Sequence, residues 1–412
     1  MADPPLVIVG AGHAGGRAAQ ALRHARFDGP VRLVGAEPHL PYERPPLSKG
    51  VLVGDQQPAD CALNAPDFYR DRQIAVDTGR RVARIERARR QLVFADGGRQ
   101  PYRRLLLTTG GRARRLPIAG AELSGVVTLR SIDDCLALRA LVVPGAAVAI
   151  VGGGLIGLEV AAGAVKRGCA VTVIEAAPTL MGRVVPAEIA ALLHDRHSRE
   201  GVRIHLGARP TGFVGDGRVE AVDLEGGDRI PADVVVVAIG ITPAVELAEQ
   251  AGLEVANGIV VDAGCRTSDP DIFAAGDAAC AFHPLYGRHI RLESWQNAEK
   301  QSVLAARNMI GGGEDHTEVP WMWSDQYDLM LQVSGLTDRY DDTVRRGSLA
   351  DDGRVVQFLL DGGRLVAACG LGVGTKAGRD IRVAQRLIAR GTPPDPAALA
   401  DPAVNLKTLL RA

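Results

Sequence analysis

The sequence predicts an α/β protein in which one three-layer unit built on a parallel sheet occurs twice, followed by an α+β C-terminal domain. Two observations predict the repeat. An apolar strand, a glycine turn of the form GxGxxG and a helix appear near the N-terminus and again near residue 150. Each copy leads into a second apolar strand that ends near an acidic residue. A third observation, an apolar strand closing on Gly276-Asp277, indicates that the first unit resumes after the second.

In the first copy, Leu6-Val-Ile-Val9 reads as a strand, Gly10-Ala-Gly12-His-Ala14-Gly15 as the turn, and Gly16 to His24 as the helix. Val31 to Glu37 is then the second strand. In the other copy, Ala147 to Val151 leads into Gly152-Gly-Gly154-Leu-Ile156-Gly157, a helix through Val165, and the strand Val171 to Glu175. The glycines have physical tasks: a tight turn, backbone approach to a pyrophosphate, and close packing of helix on strand. The helix N-terminus meets the phosphate charge, and an acid about 20 residues further on receives the ribose hydroxyls. One such turn is weak evidence. Two in matching context predict two Rossmann-like dinucleotide-binding domains.

The stretch Thr267 to Asp277 offers a further Gly-Asp to a nucleotide-bound polyol, which fits a flavin dinucleotide. A ligand held by segments so far apart in sequence requires a discontinuous domain. The expected organisation is residues 1–111 with 244–319 for the flavin nucleotide, 112–243 for the nicotinamide nucleotide, and 320–412 as the α+β domain. Asp233 to Gly240 would end the insert, and Asp380 to Ala389 reads as an amphipathic helix of the last domain.

Composition narrows the class. Lys+Arg and Asp+Glu are both 48, so no net field points to nucleic acid or membrane. Leu141 to Val165 is apolar enough to imitate a membrane helix, but six glycines and Pro144 break it. With no leader-like start, a cytoplasmic enzyme is expected. The six cysteines lie far apart, with no metal or cluster spacing, so no metal site is expected and the thiols read as reduced and buried.

The motifs Pro41-Tyr-Glu-Arg-Pro-Pro-Leu-Ser-Lys49, Thr108-Thr-Gly110, Leu129-Arg-Ser131, Ala274-Ala-Gly-Asp277, Arg291-Leu-Glu-Ser-Trp-Gln-Asn297 and Pro320-Trp-Met-Trp-Ser-Asp-Gln-Tyr-Asp328 cover nearly the whole chain. It resembles the FAD-dependent, NADH-dependent ferredoxin reductases of glutathione-reductase-like fold that serve bacterial cytochrome P450 and Rieske oxygenases. The resemblance implies FAD contacts at Gly10, Gly12, Ala14, Gly15, Glu37, Arg44, Lys49, Val82, Thr109, Gly110, Arg130, Gly276, Asp277 and Trp295. It implies NADH contacts at Gly152, Gly154, Ile156, Gly157, Glu159, Glu175, Arg183, Ile239 and Gly240. Glu175 favours NADH over NADPH on physical grounds, since a carboxylate accepts a ribose hydroxyl and repels a 2′-phosphate. The chain departs from the family at Ala244, Met322 and Met330, where Asn, Phe and Lys are usual.

Such a reductase passes hydride from NADH to FAD and then single electrons to a [2Fe–2S] ferredoxin, and it works as a monomer or weak dimer. No nucleophile or general acid is needed. Lys49, paired in the family with the acid aligned to Glu159, is the residue implied to touch the chemistry. Trp295, Trp321 and Trp323 read either as core or as a wall along the flavin. Between Arg70 and Arg115 there are 14 arginines against four acids, read either as a solvated face or as a docking surface for an acidic ferredoxin. Three alternatives compete with this reading. A disulfide reductase would need a cysteine where Pro45-Pro-Leu-Ser48-Lys49 stands. A redox-dependent signalling flavoprotein resembling apoptosis-inducing factor would have basic tails. A rubredoxin reductase would differ only in its acceptor.

Overall fold

In the computed structural model, which describes residues 3–411, the chain divides into two units. The first gathers the segments ending at Arg44, Pro58–Arg112 and Ile241–Glu318. The second gathers Pro45–Gln57, Ala113–Gly240 and the chain from Val319 onward.

The core of the first unit is a five-stranded parallel sheet in the order Ile272–Ala274, Arg104–Leu107, Leu6–Val9, Val31–Val34, Ile74–Asp77. Leu6 pairs with Val31 on one side and Arg104 on the other. Buried on both faces, these strands are near-continuous runs of Val, Leu and Ile. Successive residues alternate between two cores. Leu6, Ile8, Leu33, Leu106 and Phe273 pack with Ala18 and Leu22 of helix His13–His24 and with Ala305 of helix Trp295–Asn308. Val7, Val9, Val34 and Leu105 pack instead under an antiparallel meander, Val82–Glu86, Gln91–Phe94 and Arg99–Pro101, through Val82, Ile85, Leu92 and Phe94. The result is three layers: helices, parallel sheet and meander.

The second unit repeats this plan. Its parallel sheet runs Arg203–Leu206, Ala170–Glu175, Ala147–Val151, Val234–Val237, Val126–Val127. A meander of Pro210–Val214, Ala221–Leu224 and Arg229–Pro231 packs Phe213, Val222 and Leu224 against Val151, Ile174 and Val235. The same unit holds a five-stranded antiparallel sheet, Trp321–Gln326, Leu329–Gly335, Arg364–Val373, Arg354–Asp361, Asp342–Arg346. Helix Gly378–Arg390 covers one face of it with Ile381, Ala384, Leu387 and Ile388.

Two local differences from the sequence reading bear on the site. The second strand of the first copy ends at Val34, although the Gly35 amide still donates to Asp77 O at 2.8 Å in the ladder's pattern, so Glu37 lies beyond the strand. Glu175, by contrast, is the last residue of its strand. The segment Pro45–Gln57 also groups with the second unit: Arg167 Nη1 donates to Leu52 O and Val53 O, and Cys135 Sγ donates to Leu47 O.

The apolar stretch from Leu141 to Val165 is divided among the end of helix Ile132–Leu141, strand Ala147–Val151 and helix Leu155–Lys166. Among the described residues no helix is long and apolar enough to cross a membrane.

Candidate functional site

The two glycine turns are built alike. In the first unit Gly10 takes φ +113° and its amide donates to Val34 O at 2.8 Å. A β-carbon there would lie 2.1 Å from Thr108 O, and one on Gly15 would lie 1.9 Å from Gly10 O. In the second unit the corresponding distances are 2.5 Å from Gly152 to Ala238 O and 2.0 Å from Gly157 to Gly152 O. These glycines are required by the protein's own packing.

The middle glycines differ. A β-carbon on Gly154 would meet nothing within 4 Å, and one on Gly12 only Arg44 Nη2 at 3.7 Å. Each is the N-cap of a 12-residue helix, His13–His24 or Leu155–Lys166. Neither helix has a side-chain cap or an acid in its first turn. A helix start without a cap leaves amide donors and positive dipole available, and an open approach over glycine is where phosphate oxygens fit. Both turns therefore suit a dinucleotide pyrophosphate.

Around the first turn the fold brings together most of the residues expected to contact FAD. Ala14 is 3.2 Å from where a Gly276 β-carbon would stand, and the Gly276 amide donates to Gln301 Oε1 at 2.8 Å. Asp277 follows in the same short helical turn. Arg44 Nη2 donates to Glu37 Oε1 at 2.7 Å, and the Tyr42 hydroxyl donates to Glu37 Oε2. Burial would raise the Glu37 pKa, but Arg44 and Tyr42 outweigh it and hold the carboxyl below its ordinary value. Burial likewise acts to lower the Arg44 pKa, yet Tyr42, Glu37 and Asp277 raise it, so the guanidinium stays charged.

Val82 belongs to the core that holds Val9 and Val34 beside the turn. Thr109 and Gly110 lie where the chain leaves this unit. The Thr109 hydroxyl donates to Ala244 O at 2.6 Å and Gly110 O accepts from the Ala244 amide at 2.9 Å, tying the exit to the returning strand. Trp295 opens its helix, with its ring centroid 5.2 Å from that of His13. The sequence reading did not single out His13, although it occupies a variable position inside the first glycine motif. Its Nε2 lies 3.1 Å from Glu299 Oε2, which Arg17 Nε approaches at 2.7 Å.

Around the second turn, Glu175 reaches back onto the motif itself. The Gly153 amide donates to Glu175 Oε2 at 2.6 Å and the Ala177 amide to Oε1 at 2.7 Å. Met181 N donates to Gly153 O at 3.0 Å, so the exposed loop carrying Arg183 starts beside the turn. Ile156 is exposed on the first turn of the helix. Ile239 and Gly240 follow strand Val234–Val237, and a β-carbon on Gly240 would meet nothing within 4 Å. Arg130 precedes a capping box: Ser131 and Asp134 cap helix Ile132–Leu141, and the Arg130 amide also donates to Asp134 Oδ2.

Lys49 and Glu159, both in the second unit, meet as an ion pair with Nζ 2.8 Å from Oε1. The carboxylate is 4% exposed and also receives the hydroxyls of Ser48 and, at 2.7 Å, Ser324. An ionised carboxylate so deep needs these partners, since a buried charge is tolerated only when paired and hydrogen-bonded. Ser48, Ser324 and their neighbours on the same unit were missed by sequence reasoning. Both serines stood inside family motifs, Ser48 in Leu47-Ser-Lys49 and Ser324 in Trp323-Ser-Asp325, but neither motif pointed to Glu159 as the partner.

The tryptophans divide: Trp321 and Trp323 stack at 5.2 Å and 19° in the second unit, while Trp295 lies in the first. Within the arginine-rich stretch many guanidinium groups pair with nearby acids, including Arg80 with Asp96, Arg84 and Arg99 with Glu86, Arg87 with Asp269 and Arg90 with Asp271. Those pairs offset part of the arginine charge, and Glu86 alone is shared by Arg84, Arg89 and Arg99. No two of the six cysteines are joined, and among the described residues no group of three His, Cys, Asp or Glu is placed to hold a metal.

Comparison with known proteins agrees with this architecture. Residues 4–302 match the family model described as pyridine nucleotide-disulphide oxidoreductase, and residues 321–410 match one described as reductase C-terminal. The chain is 46% identical to the anthranilate 1,2-dioxygenase system ferredoxin–NAD(+) reductase component of Burkholderia cepacia, over 100% of both chains. It is similar to the structure of the covalent putidaredoxin reductase–putidaredoxin complex, with a TM-score of 0.95 and 36% identity, covering 100% of this chain and 99% of that one. It is also similar to the ferredoxin reductase for the CYP199A2 system from Rhodopseudomonas palustris, with a TM-score of 0.94 and 38% identity, over 98% and 99% of the two chains. Twice-repeated glycine turns on parallel sheets, a reductase-type C-terminal sheet and likeness along the full chain lead to one assignment: the chain is an oxidoreductase and belongs to the pyridine nucleotide-disulphide oxidoreductase family.

Proposed function

We propose that this chain is an FAD-containing ferredoxin–NAD(+) reductase that takes electrons from NADH and delivers them singly to a [2Fe–2S] ferredoxin of a P450 or Rieske-type oxygenase. It would act in the cytoplasm as a monomer or weak dimer. The observation that carries the reading is the pair of uncapped, glycine-lined helix starts, each with an acid close by. The names of its relatives and structural neighbours supply the acceptor class.

Residues 1–111 with 244–319 would hold FAD, 112–243 would hold NADH, and 320–412 would complete the reductase. At the first turn Gly10, Gly12, Ala14, Gly15, Gly276 and Asp277 would hold the flavin nucleotide, with Glu37 and Arg44 toward its adenosine end and Val82, Thr109, Gly110 and Trp295 along it. Lys49 and Arg130 are further FAD contacts on the resemblance. At the second turn Gly152, Gly154, Ile156 and Gly157 would cradle NADH, and Glu175 would accept from its ribose hydroxyls. Arg183, Ile239 and Gly240 would flank it.

Bound flavin supplies the conversion between a two-electron donor and a one-electron acceptor. The chain's own contribution is positioning and charge. Lys49 would offer its ammonium to the bound flavin, and Glu159 holds that ammonium in place. Glu175 discriminates against a 2′-phosphate. No side chain is needed as a nucleophile.

The test is direct. Purified protein is titrated with NADH and with [2Fe–2S] ferredoxins and rubredoxins while turnover is followed. Yellow protein that reduces a [2Fe–2S] ferredoxin fastest supports the proposal. A folded preparation that stays colourless in excess FAD, or one that prefers rubredoxin, overturns it.

A further inference from the structure

The hydrogen bonds that hold Glu159 continue well beyond Lys49. Ser324 Oγ donates to Glu159 Oε1 at 2.7 Å, and Gln326 Nε2 donates to Ser324 Oγ at 3.1 Å. His197 Nε2 lies 2.8 Å from Gln326 Oε1, and the Tyr327 hydroxyl lies 3.0 Å from His197 Nδ1. Glu159, His197, Ser324 and Gln326 are 4%, 0%, 0% and 1% exposed. Three parts of the second unit contribute: helix Leu155–Lys166, helix Ala187–Arg199, and strand Trp321–Gln326 with the residue after it.

Chemistry sets the direction of this line. A carboxylate paired with an ammonium only accepts, so the single Ser324 hydroxyl proton goes to Glu159. Ser324 Oγ must then accept from the amide nitrogen of Gln326, which turns Gln326 Oε1 toward the imidazole. His197 Nε2 must therefore carry the hydrogen, and Nδ1 accepts from Tyr327. Every link donates toward Glu159, and successive donors in a buried chain strengthen one another. Burial keeps the imidazole below its usual protonation range and raises the Tyr327 phenol, so both stay in the forms this order needs.

We propose that His197, as its Nε2–H tautomer, is a positioning residue for the Lys49–Glu159 pair and acts on it through Gln326 and Ser324. The use of that pair in flavin reduction rests on the function proposed above. The tautomer and the chain do not. The Nε2–H tautomer tests the direction of the chain itself. A histidine that only filled the interface between helix and strand could be exchanged, in a variant that folds, for a side chain of similar size with no change in the rate of flavin reduction.

The experiment uses the full chain labelled with 15N-histidine and loaded with FAD, with the His197 signals assigned by their loss in H197Q. At pH 7 the ring nitrogens are expected to show hydrogen on Nε2 alone. Hydrogen on Nδ1, or on both nitrogens, overturns the proposal. In stopped-flow, H197L is expected to slow flavin reduction at saturating NADH about five- to tenfold, the size of one or two lost hydrogen bonds. The half-saturating NADH concentration should change little. H197Q keeps an amide donor in that place and should recover most of the rate. An unchanged rate in H197L, or an H197Q as slow as H197L, also overturns it. If H197L does not fold, the tautomer and H197Q decide alone. A wild-type protein whose flavin NADH cannot reduce defeats the reductase reading instead, while the nitrogen spectrum still answers for His197.

Discussion

The Gly153 amide donates to Glu175 Oε2 at 2.6 Å, so the acid at the end of the second strand is anchored on the glycine turn itself. On the proposed function, a carboxylate fixed there would meet the adenosine ribose of the nucleotide bound at the turn. Glu175→Ala is expected to raise the ratio of kcat/KM for NADPH to that for NADH by about tenfold or more, by removing a like-charge contact. Steady-state assays with both coenzymes check this, and an unchanged ratio would move the discrimination to Arg183 or elsewhere.

The Lys49–Glu159 pair predicts a coupled effect on stability and rate. Lys49→Ala leaves a buried carboxylate without its counter-charge, which costs about 3–5 kcal/mol for such a pair. Urea unfolding should register that loss, and Lys49→Ala/Glu159→Ala should recover part of it. The rate of flavin reduction at saturating NADH should fall on the order of 10- to 100-fold in Lys49→Ala. An unchanged rate would remove Lys49 from the chemistry.

Gly154 and Gly157 are three residues apart yet should respond oppositely to alanine. A β-carbon on Gly157 would sit 2.0 Å from Gly152 O, so Gly157→Ala must move the helix off the strand and lower the melting temperature. On Gly154 the same carbon meets nothing within 4 Å, so the protein should fold normally and lose NADH affinity alone. Thermal scans beside NADH titrations separate the two. Equal loss of stability in both variants would contradict the open cradle.

Burial lowers the His316 pKa to about 4, with the neighbouring His283 acting in the same direction. Folding therefore favours the neutral ring. Its contribution is intact above the unfolded value of 6.5 and is lost as pH falls toward about 4, since there the unfolded chain binds the extra proton. The shift corresponds to roughly 3 kcal/mol at the acid end. Melting temperatures measured between pH 7 and pH 4 should fall less steeply in His316→Gln than in the parent. Parallel curves would refute this role for His316.

The parallel sheets and both turns were legible because their signals are local: Leu6–Val9 before Gly10 and Ala147–Val151 before Gly152 announce themselves within a dozen residues. The allegiance of Pro45–Gln57 to the second unit was not legible, because it depends on Leu47, Leu52 and Val53 carbonyls meeting Cys135 and Arg167 from distant helices. Lys49 and Glu159 were reached only through resemblance to a family. The line from Glu159 to His197 joins positions separated by long stretches of chain, and buried polar networks leave no periodic mark in a sequence. Arginine pairing between residues 70 and 115 was likewise hidden, since partners such as Asp269 and Asp271 arrive from the returning segment.

The two acids beside the turns are tethered by different means. Glu37 is gripped by the side chains of Tyr42 and Arg44, so its replacement would take a carboxylate partner from a half-buried guanidinium. Glu175 rests on main-chain amides alone, which survive any exchange of the side chain. If the acids select the nucleotides as proposed, the coenzyme choice of the second turn could be rewritten by a single substitution, whereas at the first turn a change of Glu37 would also disturb Tyr42 and Arg44.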